Sequence, residues 1–144
     1  TVELNNLILT RGSASETDPD GGAILSYEAL VLGSVEITGS RAGRGGGVAA
    51  LSGTLTIVDS TIDNNLSVGE GGGIYTTVVT DIQRSTISNN HAWQNGGGVA
   101  AGNELTVSSS TFSTNIADNT GGAIVADQKT AVNSYSTIVL NTAG

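Results

Sequence analysis

The sequence predicts an all-β fold, a single right-handed parallel β-helix of about five to six coils, each of about 25 residues with three short strands. Three observations point there. A glycine pair or triplet leading into a branched apolar residue recurs five times, and a Ser-Thr-Ile/Phe-x-x-Asn motif recurs four times in the same phase. The runs between them alternate apolar with polar residues and lack the period of a helix.

The glycine motif comes first in each coil. Its copies are Gly21-Gly22-Ala23-Ile24, Gly45-Gly46-Gly47-Val48, Gly71-Gly72-Gly73-Ile74, Gly96-Gly97-Gly98-Val99 and Gly121-Gly122-Ala123-Ile124, spaced 24, 26, 25 and 25 residues apart. A turn repeated in register needs positive φ, which glycine adopts without steric cost, and a missing side chain lets neighbouring coils approach at the corner. The second motif runs Ser60-Thr61-Ile62 with Asn65, Ser85-Thr86-Ile87 with Asn90, Ser110-Thr111-Phe112 with Asn115, and Ser136-Thr137-Ile138 with Asn141. Two residues beyond each asparagine stands a small residue: Ser67, Ala92, Ala117 and Ala143. Ile37, Ser40 and Ala42 form a degenerate earlier copy. Stacked coils turn these positions into columns about 4.8 Å apart, and a buried asparagine column is expected to form an amide ladder.

Between the motifs lie runs such as Leu55-Thr56-Ile57-Val58 and Val78-Val79-Thr80-Asp81-Ile82, whose composition suits strands. The expected inward columns are Ile57/Ile82/Val107, Ile62/Ile87/Phe112 and Ile74/Val99/Ile124. Aromatic residues are confined to Trp93, Phe112, Tyr27, Tyr75 and Tyr135, so stacked aliphatic side chains must supply the core. No hexapeptide period marks the left-handed variety. Residues 1–144 are expected to form one domain, a mature product or a stretch of a longer β-helix, since Thr1 opens no signal-peptide pattern.

Composition narrows the partners. The net charge is −8, which repels phosphate backbones and anionic lipid heads, so neither nucleic acid binding nor membrane insertion is expected. There is no cysteine, hence neither a disulfide framework nor a thiolate metal site.

The pairing of the glycine and asparagine motifs resembles the repeats of the polymorphic outer-membrane protein family, cell-surface proteins of autotransporter type. Gly21 to Ile24, Gly121 to Ile124 and Phe112 to Asn115 match its GGA[ILV] and FxxN patterns without change, and the other copies carry Gly for Ala and Ile for Phe. The resemblance spans residues 21 to 141 and implies an extracellular, surface-exposed module with an adhesive role. It brings no catalytic residue.

Function is expected where the repeat breaks. The segment Ser13–Asp20 is an insertion of about four residues relative to later coils, and Glu16, Asp18 and Asp20 in it suit Ca²⁺, a hard ion that takes oxygen ligands. The alternative there is a solvated acidic loop. His91 and Trp93 lie between Asn90 and Gly96, where an exposed indole offers a contact to a protein or glycan; otherwise it folds over the corner. A lone histidine has no companion for a zinc site.

Three functions remain open at this level. The first is a structural or adhesive scaffold, including a head-to-tail fibre assembled end to end. The second is a carbohydrate-active fragment. Lyase chemistry needs clustered cations, however, and Lys129 stands apart from scattered Arg11, Arg41, Arg44 and Arg84. Hydrolase chemistry needs two facing carboxylates, whereas Asp59, Asp63 and Asp81 share one side of adjacent coils and Asp59 suits an ion pair with Arg84. The third is ice binding through the outward column Thr61/Thr86/Thr111/Thr137, whose neighbours Asp63, Ser88 and Ser113 are mixed. The scaffold reading is preferred, with no catalytic residue and no cofactor beyond the Ca²⁺ considered above.

Overall fold

The computed structural model describes residues 1–14, 19–133 and 135–144. It is a parallel β-solenoid. Every strand pair is parallel, and among the described residues there is no helix. One coil shows the plan: strands at Ile74–Thr76, Val79–Gln83, Thr86–Ser88 and His91–Ala92 follow one another and pair with their equivalents in the coils on either side. The result is four ladders, of six, five, five and six strands.

They are termed the long ladder (containing Val79–Gln83), the threonine ladder (Thr86–Ser88), the short ladder (His91–Ala92) and the glycine ladder (Ile74–Thr76). Three strands per coil are thereby refined to four. The fourth has only two residues, fitted between the asparagine turn and the glycine turn, too short for any alternation to announce it.

The core is aliphatic columns. Ile57, Ile82 and Val107 are in register on the long ladder and fully buried, with Leu32 in the same column. Ile62, Ile87 and Phe112 do the same on the threonine ladder, and Ile74 and Val99 on the glycine ladder, where Ile124 closes the column half-buried. Leu30, Leu55 and Leu105 add a further inward column. Its one buried polar member, Thr80, pairs with buried Thr76 at 2.9 Å between hydroxyl oxygens, and both hydroxyls lie within reach of the Val78 carbonyl.

Two buried side-chain ladders run beside these columns. Asn90 Oδ1 accepts the backbone N–H of Asn65 (3.0 Å) and an Asn65 Nδ2 hydrogen (3.0 Å). Its Nδ2 donates to the Ile62 carbonyl (2.9 Å) and to Asn115 Oδ1 (3.1 Å). Asn65 and Asn115 repeat the pattern, and Asn141 continues it. Ser40 takes the asparagine position in the degenerate copy, its N–H donating to Asn65 Oδ1 and its Oγ accepting Gly12 N–H. The serines build the second ladder: Ser85 Oγ accepts Ser60 N–H (3.1 Å) and donates to the Gln83 carbonyl (2.7 Å).

Glycine meets the positive-φ demand in every coil at one corner, and elsewhere only at Gly39, before Ser40, and at Gly53. Gly21, Gly45, Gly71, Gly96 and Gly121 have φ of 63–67°. The residues before the buried serines (Asp59, Arg84 and Ser109) and before the buried asparagines (Asn64, Asn89 and Thr114) are also left-handed, with φ of 46–55°. Each such residue costs about 1–2 kcal/mol. The hydrogen bonds that its turn allows the following Ser or Asn to make offset that cost. The second glycine has a different task. A Cβ on Gly46, Gly72 or Gly97 would meet the carbonyl oxygen of the glycine stacked on it, Gly72, Gly97 or Gly122.

Two substitutions separate these contributions. Asn90→Ala strips partners from the Asn65 N–H and the Ile62 carbonyl inside the core and is expected to cost about 3 kcal/mol in urea unfolding. Thr76→Ala with Thr80→Leu installs the residues that the flanking coils carry at these positions (Ala50 and Ala101, Leu55 and Leu105). The double variant is expected to be at least as stable as the parent, while each single change is destabilising, because only the double change removes both hydroxyls of the pair.

Candidate functional site

The inward columns are committed to stacking, so any recognition chemistry must come from outward columns and corners. At the acidic insertion, Glu16 and Asp18 lie outside the described residues. Asp20 is buried, and both its carboxylate oxygens are taken by the guanidinium of Arg44, one coil on (Nε–Oδ1 2.9 Å, Nη2–Oδ2 2.6 Å). The hydrogen bond from Arg44 to Asp20 leads in raising the arginine pKa further above its ordinary value. Arg44 also donates from Nη1 to the Tyr75 hydroxyl (2.9 Å), and its Cζ lies 4.5 Å from the Tyr75 ring centroid.

Asp20 and Arg44 open a polar column that sequence reasoning missed. The residue immediately before each glycine pair (Asp20, Arg44, Glu70, Asn95, Thr120) stacks on the next. Beyond the ion pair, Asn95 Nδ2 donates to Glu70 Oε1 (2.8 Å), and the Thr120 hydroxyl donates to Asn95 Oδ1 (2.8 Å). The constant position ahead of the glycines was a usable signal. The changing residue types concealed it.

The His91–Trp93 segment belongs to the short ladder. His91 Nε2 is 2.7 Å from Asp118 Oδ1, and Trp93 is 48% exposed with the Arg41 guanidinium 5.8 Å from its ring centroid. The indole therefore both leans on a neighbouring coil and offers surface to solvent. Val68, which follows Ser67 of this ladder, and Ile116, in register with His91, are exposed. A groove of about 330 Å³ lined by Ser13, Ala14, Pro19, Arg41, Ala42, Gly43 and Val68 adjoins it through Arg41.

The remaining carboxylates considered above are engaged singly. Asp59 forms the expected ion pair with Arg84 (2.8 and 3.0 Å). Asp63 Oδ1 accepts from Ser88 Oγ and Asn89 Nδ2, and Asp81 accepts from Gln83. Thr61, Thr86, Thr111 and Thr137 stand in register, with Asp63, Ser88, Ser113 and Val139 in the column beside them. Among the described residues no group of three or more His, Cys, Asp or Glu side chains is placed to hold a metal ion. No helix there is long and apolar enough to cross a membrane.

At the first and last coils the core columns meet solvent. Ile138, inward by register, is 50% exposed.

Residues 59–77 and 109–127 match the family model described as the Chlamydia polymorphic membrane protein repeat. Each stretch is one full passage through the threonine, short and glycine ladders: Ser60–Ile62, Asn65 and Gly71–Ile74 in the first, Ser110–Phe112, Asn115 and Gly121–Ile124 in the second. The motif resemblance is thus shown in two coils. No curated protein and no solved structure matches the chain.

The Asp59–Arg84 pair yields a pH signature. Hydrogen bonding from Arg84 holds the Asp59 carboxyl below its ordinary value. Its stabilisation is therefore complete above the usual carboxylate pKa and is lost as pH falls through the lowered folded value. The difference in unfolding midpoint between the parent and Asp59→Asn is expected at neutral pH, to vanish in strong acid, and to shrink in high salt because both groups are exposed.

Proposed function

We propose that this chain is a length of rigid β-solenoid displayed at a cell surface, where it acts as an adhesive scaffold rather than an enzyme. The observation that carries this reading is the match of two coils to the polymorphic membrane protein repeat, on a fold whose repeated residues all serve stacking. At about 4.8 Å per coil the described coils make a rod of roughly 25–30 Å. Such a rod holds its outward side chains at fixed spacing, which lowers the entropic cost of engaging a partner.

The reading places contact with a surface protein or glycan on the short ladder, at Trp93 with Arg41, His91 and Asp118. Tryptophan and arginine are the residues that dominate interface energetics when they are centrally placed. Asp59, Asp63 and Asp81, each held by its own neighbours, support the scaffold over hydrolysis.

Antibody raised against the chain is expected to label intact source cells without permeabilisation. The soluble chain is expected to bind the cells or matrix to which those cells attach, and Trp93→Ala to weaken that binding at least tenfold with an unchanged unfolding midpoint. Labelling that appears only after permeabilisation overturns the proposal.

A further inference from the structure

The outward column of the glycine ladder is Leu25, Ala49, Tyr75, Ala100, Val125, in register along the axis. Large and small residues alternate around Tyr75, so an alanine notch lies on each side of it. Tyr75 and Val125 stand two coils apart, roughly 9–10 Å along the axis, with Ala100 between them.

The protein shows how one notch is used. Arg44 belongs to the coil of Ala49, lays its guanidinium on the Tyr75 ring at 4.5 Å and is neutralised by Asp20. Ala49 beneath is fully buried, and Ala100 is 3% exposed. The Ala100 notch is instead a cavity of about 50 Å³ lined by Tyr75, Ala100, Ala101, Gly102 and Val125, with the carboxylates of Glu70 and Asp127 on its rim. Among the described residues neither carboxylate has a cationic partner.

We infer that this second notch receives a lysine side chain from a partner protein. An ammonium head is close in size to a water molecule, whose share of liquid volume is about 30 Å³, so the cavity has room for it. Its methylene stem finds an apolar floor in Ala100 and Val125, as long cationic side chains require. Its charge meets two carboxylates and an aromatic ring in a protein of net charge −8. A solenoid displayed at a surface would thus carry, besides the Trp93 patch, a second contact selective for basic protein segments.

That biological setting rests on the proposed function, but the binding is measured on the isolated chain. A failed titration leaves surface display untouched, and failed surface labelling leaves the titration standing.

The probe is a trilysine peptide titrated at low salt into the intact 144-residue protein, with tyrosine ring signals followed by NMR. A saturable shift is expected at Tyr75 and not at the exposed Tyr27 and Tyr135. Ala100→Leu fills the notch without changing charge, and the same column already accommodates Leu25 and Val125. It is expected to weaken binding at least tenfold, and Glu70→Gln and Asp127→Asn each severalfold, which keeps the test alive should Ala100→Leu misfold. Undiminished binding by these variants overturns the inference, as does equal binding of a peptide with acetylated lysines. A tenfold gain in affinity on Lys129→Gln overturns it too, since the chain's own lysine would then be the occupant.

Discussion

The amide ladder at the asparagine corner is the interaction on which the solenoid depends. Asn90 and Asn115 each use both lone-pair directions of Oδ1 and both hydrogens of Nδ2, and every partner lies one coil away or in the preceding strand of the coil before. These bonds can form only if successive coils superimpose to within hydrogen-bond tolerance. A coil one residue longer must therefore absorb the excess elsewhere. One coil shows where it goes: from Ser40 to Asn65 the step is 25 residues while Gly45 to Gly71 is 26, so the extra residue lies between the asparagine turn and the glycine turn.

From that requirement the other features follow. The chain must turn sharply before each asparagine, which places Asn64, Asn89 and Thr114 in a left-handed conformation. Glycine would relieve the strain there but would enlarge the unfolded ensemble. The amide ladder makes glycine unnecessary at that corner. It also explains the third glycine of the motif. A Cβ on Gly73 would lie 3.0 Å from the Asn90 side chain, and Gly47 and Gly98 face Asn65 and Asn115 at 3.3 Å. Alanine replaces that glycine at Ala23, whose coil neighbour at the asparagine position is the smaller Ser40, and at Ala123, beside the half-exposed terminal Asn141.

This linkage is why the sequence disclosed so much of the fold. Stacking demands identity along columns, and identity along columns is periodicity in sequence: the aliphatic columns through Ile57, Ile62 and Ile74 and the asparagine ladder were legible for that reason. What escaped has the opposite character. The two-residue short ladder is below the length at which alternation exists. The pairing of Arg44 with Asp20 and Tyr75 joins residues 24 and 31 positions apart through columns whose members differ from coil to coil. Asp59 with Arg84 was the exception, because opposite charges one period apart are a pattern that periodicity itself exposes.

The same division assigns function to the outward columns. A residue facing inward is replicated by stacking and varies within the aliphatic and aromatic residues, with the buried Thr76–Thr80 pair as the exception, so it offers no surface to a partner. An outward residue is free to differ in every coil. Around Tyr75 that freedom produces two adjacent notches of similar shape and opposite occupancy, one filled from within by Arg44 and one rimmed by carboxylates. A uniform column of tyrosines would have stacked on itself and shown no notch at all. In a solenoid, then, a recognition site is built by breaking the repeat on the outside while the inside remains unbroken. The rigidity conferred by the buried ladders holds such a break at a fixed depth and spacing.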